Sequence, residues 1–427
     1  MAFDADKITF NVHGAGGEVG RSCFTLTTSN TKVILDCGVK LGEETEYPIN
    51  PELITDADLA IISHAHLDHT GYLPLAYKQG LRCPVVLTSA TKAITKILLK
   101  DSFNIDRMEH HKPEYSKEDI YGVQSLMKKA RYNKLYEGAI KYKFYDAGHI
   151  PGSASIVLQI GNKNILYTGD INTQETRLMH KANLKVEEEI DTLIMESTYG
   201  DRNHPARKEQ EKDFKQNIKN TLRKGGRVLI PVFAVGRAQE ILLMLADTNF
   251  KVPVYFDGMA KKVTESILRE SDYIKEPKKL SKAYRRVKIV RRAYQRTQIA
   301  REPGIFITTS GMMEGGPVID YLKYLWHDDK TAILLTGYQA EHTNGRLLLE
   351  SNTVFIDGWK TKVKCFVKKY DFSAHADQQG LIEIARKVNP KKIILIHGDP
   401  ECRSELAGIL SKNYEIISPV NGESFQI

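Results

Sequence analysis

The amino-acid sequence predicts an α/β protein in which one domain is interrupted by an inserted α/β domain and then resumed. Three observations predict it. The chain has 427 residues, too many for one ordinary hydrophobic core. Short apolar runs that end in Gly-bearing turns alternate with stretches of helical periodicity, as in a fold with a largely parallel sheet. Strand ends rich in His and Asp occur near the start and again near the end, with a stretch of different composition between them. The boundaries that follow are 1–202 for the first part of the outer domain, 203–370 for the insertion and 371–427 for the return segment.

Taken in order, Lys7–Val12 reads as a strand and His13–Gly20 as a Gly-rich loop. No helix follows that loop, so its glycines do not make a dinucleotide fingerprint. Ser22–Thr28 and Lys32–Leu35 alternate like a hairpin around Ser29-Asn30. Asp58–Ile62 is a buried strand, Tyr72–Gln79 a helix, and Ser89–Tyr136 carries a helical pattern with Leu126-Met127-x-x-Ala130 spacing. Further strands are expected at Ile140–Tyr145, Asn164–Tyr167 and Thr192–Met195. In the insertion, helices at Arg207–Arg223, Arg237–Asp247 and Lys261–Arg269 alternate with strands at Arg227–Pro231, Val252–Phe256, Ile305–Thr308, Ala332–Leu335 and Val354–Ile356. The return segment offers a helix at Gln378–Lys387 and a buried strand at Lys391–Ile396.

The densest chemistry lies where the Asp58–Ile62 strand opens into a loop, in Ser63-His64-Ala65-His66-Leu67-Asp68-His69. His-x-His-x-Asp-His packs imidazoles and a carboxylate closely enough to curl around a metal ion. Nitrogen and oxygen donors suit zinc better than a thiolate-seeking metal. His149 and Asp170 each follow a strand and sit beside a glycine. Alone, Thr168-Gly169-Asp170 is an ordinary turn; with the His run it completes a ligand set that holds two metals if one carboxylate bridges them. Asp36, at the end of Val33–Leu35, either orients those ligands or merely caps a turn.

Composition narrows the rest. No run approaches the roughly 18 apolar residues of a membrane span, and Met1–Asp6 has neither the basic nor the apolar region of a secretory signal. Cys23, Cys37, Cys83, Cys365 and Cys402 are widely spaced and odd in number, which suits reduced thiols in a cytoplasmic protein. The net charge of +8 favours a polyanionic partner. Basic residues crowd between Lys251 and Arg301 with Tyr284 and Tyr294 among them; a nucleic-acid surface and a solvated helix both look like this.

The order His64–His69, His149, Asp170, Glu196, His375, His397 closely resembles the metallo-β-lactamase fold with a β-CASP insertion, and within it the cleavage and polyadenylation specificity factor endonuclease and its short prokaryotic relatives. The resemblance spans essentially the whole chain. Met195–Gly200, Pro231-x-Phe233-Ala234-x-Gly236-Arg237-Ala238-Gln239-Glu240, Ser310–Met313 and Ser373–Asp377 are its most specific pieces. It implies an αββα sandwich with an inserted β-CASP domain and a cleft between the two as the active site. One zinc would be held by His64, His66, His149 and Asp170, and a second by Asp68, His69, Asp170 and His397. Asp68, Glu196, His375 and Asp36 would be the catalytic residues, with His375 as general acid. Arg237, Ser310, Gly311 and Ser373 sit at strand or helix ends, where N–H and hydroxyl groups either bind substrate phosphate or serve as helix caps and domain packing.

The same resemblance implies a metal-dependent ribonuclease acting on single-stranded RNA, because relatives that act on DNA usually lack a His at the position of His397. The expected products carry a 5′-phosphate and a 3′-hydroxyl. Endonucleolytic cutting is favoured and 5′-exonucleolytic trimming stays open. Two rivals belong to other classes: a non-catalytic RNA-binding scaffold of the same fold, and a small-molecule metallohydrolase. A homodimer or an RNA-processing complex are the partners to expect besides RNA.

Overall fold

The computed structural model describes residues 7–42, 44–108 and 113–427. They form two compact units: 7–175, 180–203 and 374–427 in the first, and 176–179 with 204–373 in the second.

The first unit holds two seven-stranded sheets. One runs, edge to edge, Ser424–Gln426, Thr9–Gly14, Cys23–Thr27, Lys32–Cys37, Leu59–Ile61, Val85–Thr88 and Met127–Ala130. The other runs Glu415–Ile417, Lys392–Ile396, Thr192–Glu196, Lys163–Tyr167, Ala154–Ile160, Lys141–Asp146 and Leu135–Glu137. Both strand sets are apolar on both faces, and successive residues point to opposite sides. Val33 and Leu35 therefore join Phe10, Phe24, Ile156, Tyr167, Ile194 and Ile394 in a core between the sheets. Ile34 and Ile62 turn to the other side and meet Leu73, Leu99, Phe103 and Val123 on helices. On the second sheet Leu193, Met195 and Ile393 do the same against Leu381, Ala385 and Leu406. The layers are thus helix, sheet, sheet, helix.

The second unit is a six-stranded parallel sheet in the order Lys288–Ile289, Val254–Phe256, Ile305–Thr308, Val228–Pro231, Ala332–Leu335 and Phe366–Lys369. The short segment Thr176–Met179 belongs to it because the Glu240 carboxylate accepts from the N–H groups of Arg177 and Leu178 at 3.0 and 2.8 Å.

Two expectations need correction. Ser89–Tyr136 is not helical throughout: helices end at Met108 and Leu126, and Met127–Ala130 and Leu135–Glu137 are strands. Met127 and Ala130 are buried, as helical spacing requires, but Met127–Ala130 lies parallel to Val85–Thr88, where edge pairing outweighs local preference. Thr353–Ile356 is a strand, but outside the large sheet; it pairs with Trp359–Lys362 alone. In the basic stretch, Lys278, Lys279, Lys282, Arg285 and Arg286 are exposed on the Pro277–Arg286 helix. Tyr294 is exposed too, whereas Tyr284 packs edge-on against Phe256.

Candidate metal centre

Every residue of the candidate centre lies in the first unit, on a loop that leaves a strand end. His66 caps a single helical turn, Leu67–Thr70, which turns Asp68 and His69 back towards His64. Room for this turn depends on Gly38: a Cβ there would lie 1.8 Å from the Asp68 carbonyl oxygen. His149 follows the Lys141–Asp146 strand, Asp170 follows Lys163–Tyr167, and His397 follows Lys392–Ile396 with φ +47°.

These side chains converge. His66 Nδ1 lies 3.1 Å from His64 Nε2 and 3.2 Å from His149 Nε2. Asp170 Oδ2 lies 3.5 Å from His64 Nε2 and 3.6 Å from His149 Nε2. Asp170 Oδ1 lies 3.4 Å from His69 Nε2, and Asp68 Oδ2 lies 3.4 Å from His397 Nε2 and 3.7 Å from His69 Nε2. Four donors around a tetrahedral zinc with bonds of about 2.0–2.1 Å are separated by about 3.3–3.4 Å, so the spacing fits such an ion. His64, His66, His149 and Asp170 form one group able to hold a metal; His69, Asp170 and His397 form another, and Asp68 joins His64 and His69 in a third. Asp170 Oδ1 is buried with no hydrogen-bond partner among the described residues, an atom for which a cation is the natural complement.

The outward ring nitrogens fix the tautomers. His149 Nδ1 donates to the Ala374 carbonyl at 2.8 Å, and His69 Nδ1 donates to Asp36 Oδ2 at 2.7 Å. His64 Nδ1 donates to Ser63 Oγ at 3.0 Å, which in turn donates to Asp36 Oδ2 at 2.7 Å. His397 Nδ1 reaches Thr198 Oγ1 at 3.1 Å. In the neutral ring each such bond puts the proton on Nδ1 and leaves the inward Nε2 as the atom a metal would take. Asp36 is therefore more than a turn cap. Fully buried, it also accepts from Tyr167 Oη at 2.5 Å and from the Ser63 N–H at 2.6 Å.

The electrostatics follow. Burial holds His64 and His149 well below the usual imidazole range, so both rings are neutral. Burial works against charge on His69 as well, but Asp170, Asp68 and Asp36 outweigh it and push the ring up to about 10. The carboxylates thus make a site that draws in positive charge.

Beside the cluster, Glu196 and His375 form a pair. His375 Nδ1 is 3.0 Å from both oxygens of the buried Glu196, and Nε2 is 3.9 Å from Asp170 Oδ2. The Ile171 N–H donates to Glu196 Oε1 at 2.7 Å and pins the carboxylate. Burial opposes the imidazolium, but Glu196 overrides it and raises His375 to about 9.

The four residues expected to bind phosphate all lie in the second unit. Three of them share a neighbourhood around Phe233. A Cβ on Gly311 would lie 2.9 Å from the Phe233 nitrogen, and one on Gly337 would lie 3.1 Å from the Phe233 ring and 4.0 Å from Arg237 Nε. Ser310, next to Gly311, accepts from the Glu314 N–H at 3.2 Å. The Ser373 N–H donates to Asp371 Oδ1 at 3.2 Å. Sequence reasoning missed Thr198 and the Ala374 carbonyl; both lie inside quoted motifs, but only the fold shows which histidines they hold.

Comparison with known proteins identifies the family. A metallo-β-lactamase superfamily domain matches residues 4–198, a Beta-Casp domain 238–348, and a Zn-dependent metallo-hydrolase RNA specificity domain 360–419. The "Probable RNase MJ4" of Methanocaldococcus jannaschii is 44% identical over 97% of this chain and 99% of its own length. The "RNase aCSPSF2" of Saccharolobus solfataricus is 36% identical over 100% and 87%. The "Transcription termination factor FttA" of Methanothermobacter thermautotrophicus is 34% identical over 100% and 72%. A solved structure of a protein of unknown function from Enterococcus faecalis shares the fold, with a TM-score of 0.63 at 14% identity over 99% and 100% of the two chains. The chain belongs to the β-CASP ribonucleases of the metallo-β-lactamase superfamily.

Proposed function

We propose that this protein is a zinc-dependent ribonuclease that hydrolyses single-stranded RNA, mainly by internal cuts, and acts in the cytoplasm. The observation that carries the reading is the set of inward imidazole nitrogens and carboxylate oxygens beside the Glu196–His375 pair. His64, His66, His149 and Asp170 would hold one zinc, and Asp68, His69, Asp170 and His397 the other. When bound, such a pair supplies an activated water and positive charge at a phosphoryl oxygen. The chain's own residues do the rest. Glu196 accepts a hydrogen bond from the Nδ1–H of His375, keeps the ring charged and aims Nε2 inward. His375 Nε2 then delivers its proton to the departing 3′-oxygen, leaving a 3′-hydroxyl and a 5′-phosphate. Arg237, Ser310, Gly311 and Ser373 are proposed to grip flanking phosphates, and the insertion is taken as 203–370.

Hydrolysis of matched RNA and DNA oligomers and of an acyl thioester, by metal-loaded and chelator-treated protein, tests the reading. Metal-dependent cleavage of RNA alone is expected. Preferred turnover of the thioester would make the protein a small-molecule hydrolase, and RNA bound but left intact would make it a scaffold.

A further inference from the structure

The second unit carries an exposed aromatic and basic surface made of residues that play no part in the site above. Thr353–Ile356 and Trp359–Lys362 form an antiparallel hairpin, with Phe355 opposite Lys360 and Thr353 opposite Lys362. Asp357 and Gly358 make the turn, at φ +49° and +81°. Two residues with positive φ are what a tight hairpin turn demands, and Asp-Gly supplies them.

The hairpin is held firmly on one side. Val354, Ile356, Val363 and Cys365 enter the apolar core with Leu229, Phe306 and Leu348. The Asn344 side chain accepts from the Phe355 N–H at 2.6 Å and donates to its carbonyl at 3.1 Å, as a neighbouring strand would. Alternation then puts Phe355, Lys360 and Lys362 on the outward face, while Trp359, opposite Ile356 beside the turn, lies on the other face and is exposed at the hairpin tip. Trp359 is 78% exposed, the most of any large apolar side chain described, with Phe355 at 46% and Phe366 at 47%. Lys360, Lys362 and Lys364 are exposed between them, and no ion pair holds any of the three among the described residues. Asp357, the acid of the hairpin, is neutralised by Lys323 at 2.7 Å.

We infer that this hairpin is a docking surface for single-stranded RNA, with Trp359 and Phe355 as stacking platforms for bases and Lys360, Lys362 and Lys364 as phosphate contacts. The inference rests on the ribonuclease reading. Alternate residues of a strand recur about every 6.6–6.8 Å, so Lys360 and Lys362 repeat along a line that a stretched polyanion can follow. A duplex has no free base faces for an indole, whereas a single strand offers one per nucleotide. A second copy of this chain would bring like charge against the lysines.

Trp326 and Trp359 are the two tryptophans of the chain, so a Trp326→Phe variant makes Trp359 the sole reporter. In full-length protein also carrying His66→Ala to prevent hydrolysis, oligouridylate RNA is expected to quench its emission saturably. In the unaltered tryptophan background, Trp359→Ala should weaken oligouridylate binding about ten-fold, and Trp359→Phe should restore most of it. Replacing the three lysines by Ala should lower the slope of log K against log salt by about 2. With the catalytic residues intact, Trp359→Ala should raise KM and leave kcat unchanged. RNA that binds without quenching, and equally well to Trp359→Ala, overturns the inference. So does a dimer in sedimentation that Trp359→Ala dissociates, which would make the hairpin an interface between copies. If the unaltered protein hydrolyses RNA while the quench is absent, the hairpin assignment alone fails; if it hydrolyses none, the ribonuclease reading fails.

Discussion

Asp36→Asn isolates the role of the buried carboxylate. Asp36 sits in the left-handed region at φ +56°, where Asn is as well tolerated as Asp, so the backbone is not perturbed. The Ser63 N–H donor at 2.6 Å cannot become an acceptor, so the amide oxygen must occupy the Oδ1 position. The new NH2 then faces Tyr167 Oη, Ser63 Oγ and His69 Nδ1, all now donors to Oδ2. Both hydroxyls can rotate and accept. His69 can accept at Nδ1 only by moving its proton to Nε2, the atom that faces Asp170. Binding a metal there would require the reverse tautomer and two donors face to face, at a cost of about 1–3 kcal/mol. At about 1.4 kcal/mol per ten-fold, the ion on the His69 side should bind about 10- to 100-fold more weakly, while the His64 side is little changed. Metal content across a graded series of zinc buffers, with circular dichroism to confirm folding, reads this directly. A folded Asn variant with both ions at unaltered affinity would refute the argument.

Other expectations follow from the same geometry. His375→Gln removes the proposed proton donor but no proposed ligand, so kcat should fall about 10²- to 10⁴-fold with metal content unchanged; an undiminished kcat would assign the proton elsewhere. Gly38→Ala drives a Cβ to 1.8 Å from the Asp68 carbonyl and should cost about 1–3 kcal/mol or more, read as a lower denaturant midpoint; an unshifted midpoint would show that the loop yields freely. Asp146 is raised by burial from its ordinary 3.8 to about 6, against the Gly148 N–H bond that favours its charge. The folded state then holds the extra proton between those values, so stability is lost as pH rises from about 4 to 6. The full penalty above that window is at most about 3 kcal/mol. Asp146→Asn should therefore gain stability over the unaltered protein from pH 4.5 to 7.5 in urea denaturation, and equal midpoints throughout would contradict it.

The cluster of candidate ligands was legible because its chemistry is local. Four of them lie within six residues, and His149 and Asp170 each sit at the end of a visible strand. What orients them was not legible. The Ala374 carbonyl is 225 residues from His149, and Thr198 is 199 from His397; no periodicity links them. Asp36 could not be told from a turn cap because it occupies a turn conformation while serving as a buried acceptor. The strand Met127–Ala130 was hidden because burial at its first and fourth positions is also helical spacing. The Asp357-Gly358 pair was an open hairpin signal that a run of parallel strands obscured.

The most direct measurement is cleavage of one unstructured RNA, labelled separately at each end and resolved to single nucleotides. Zinc-loaded protein would be run beside chelator-treated protein and the His66→Ala and His375→Ala variants. The account predicts internal cuts seen from both labels, absent without metal and lost or severely slowed in both variants. Cleavage that persists after metal removal, or in His66→Ala, would contradict it.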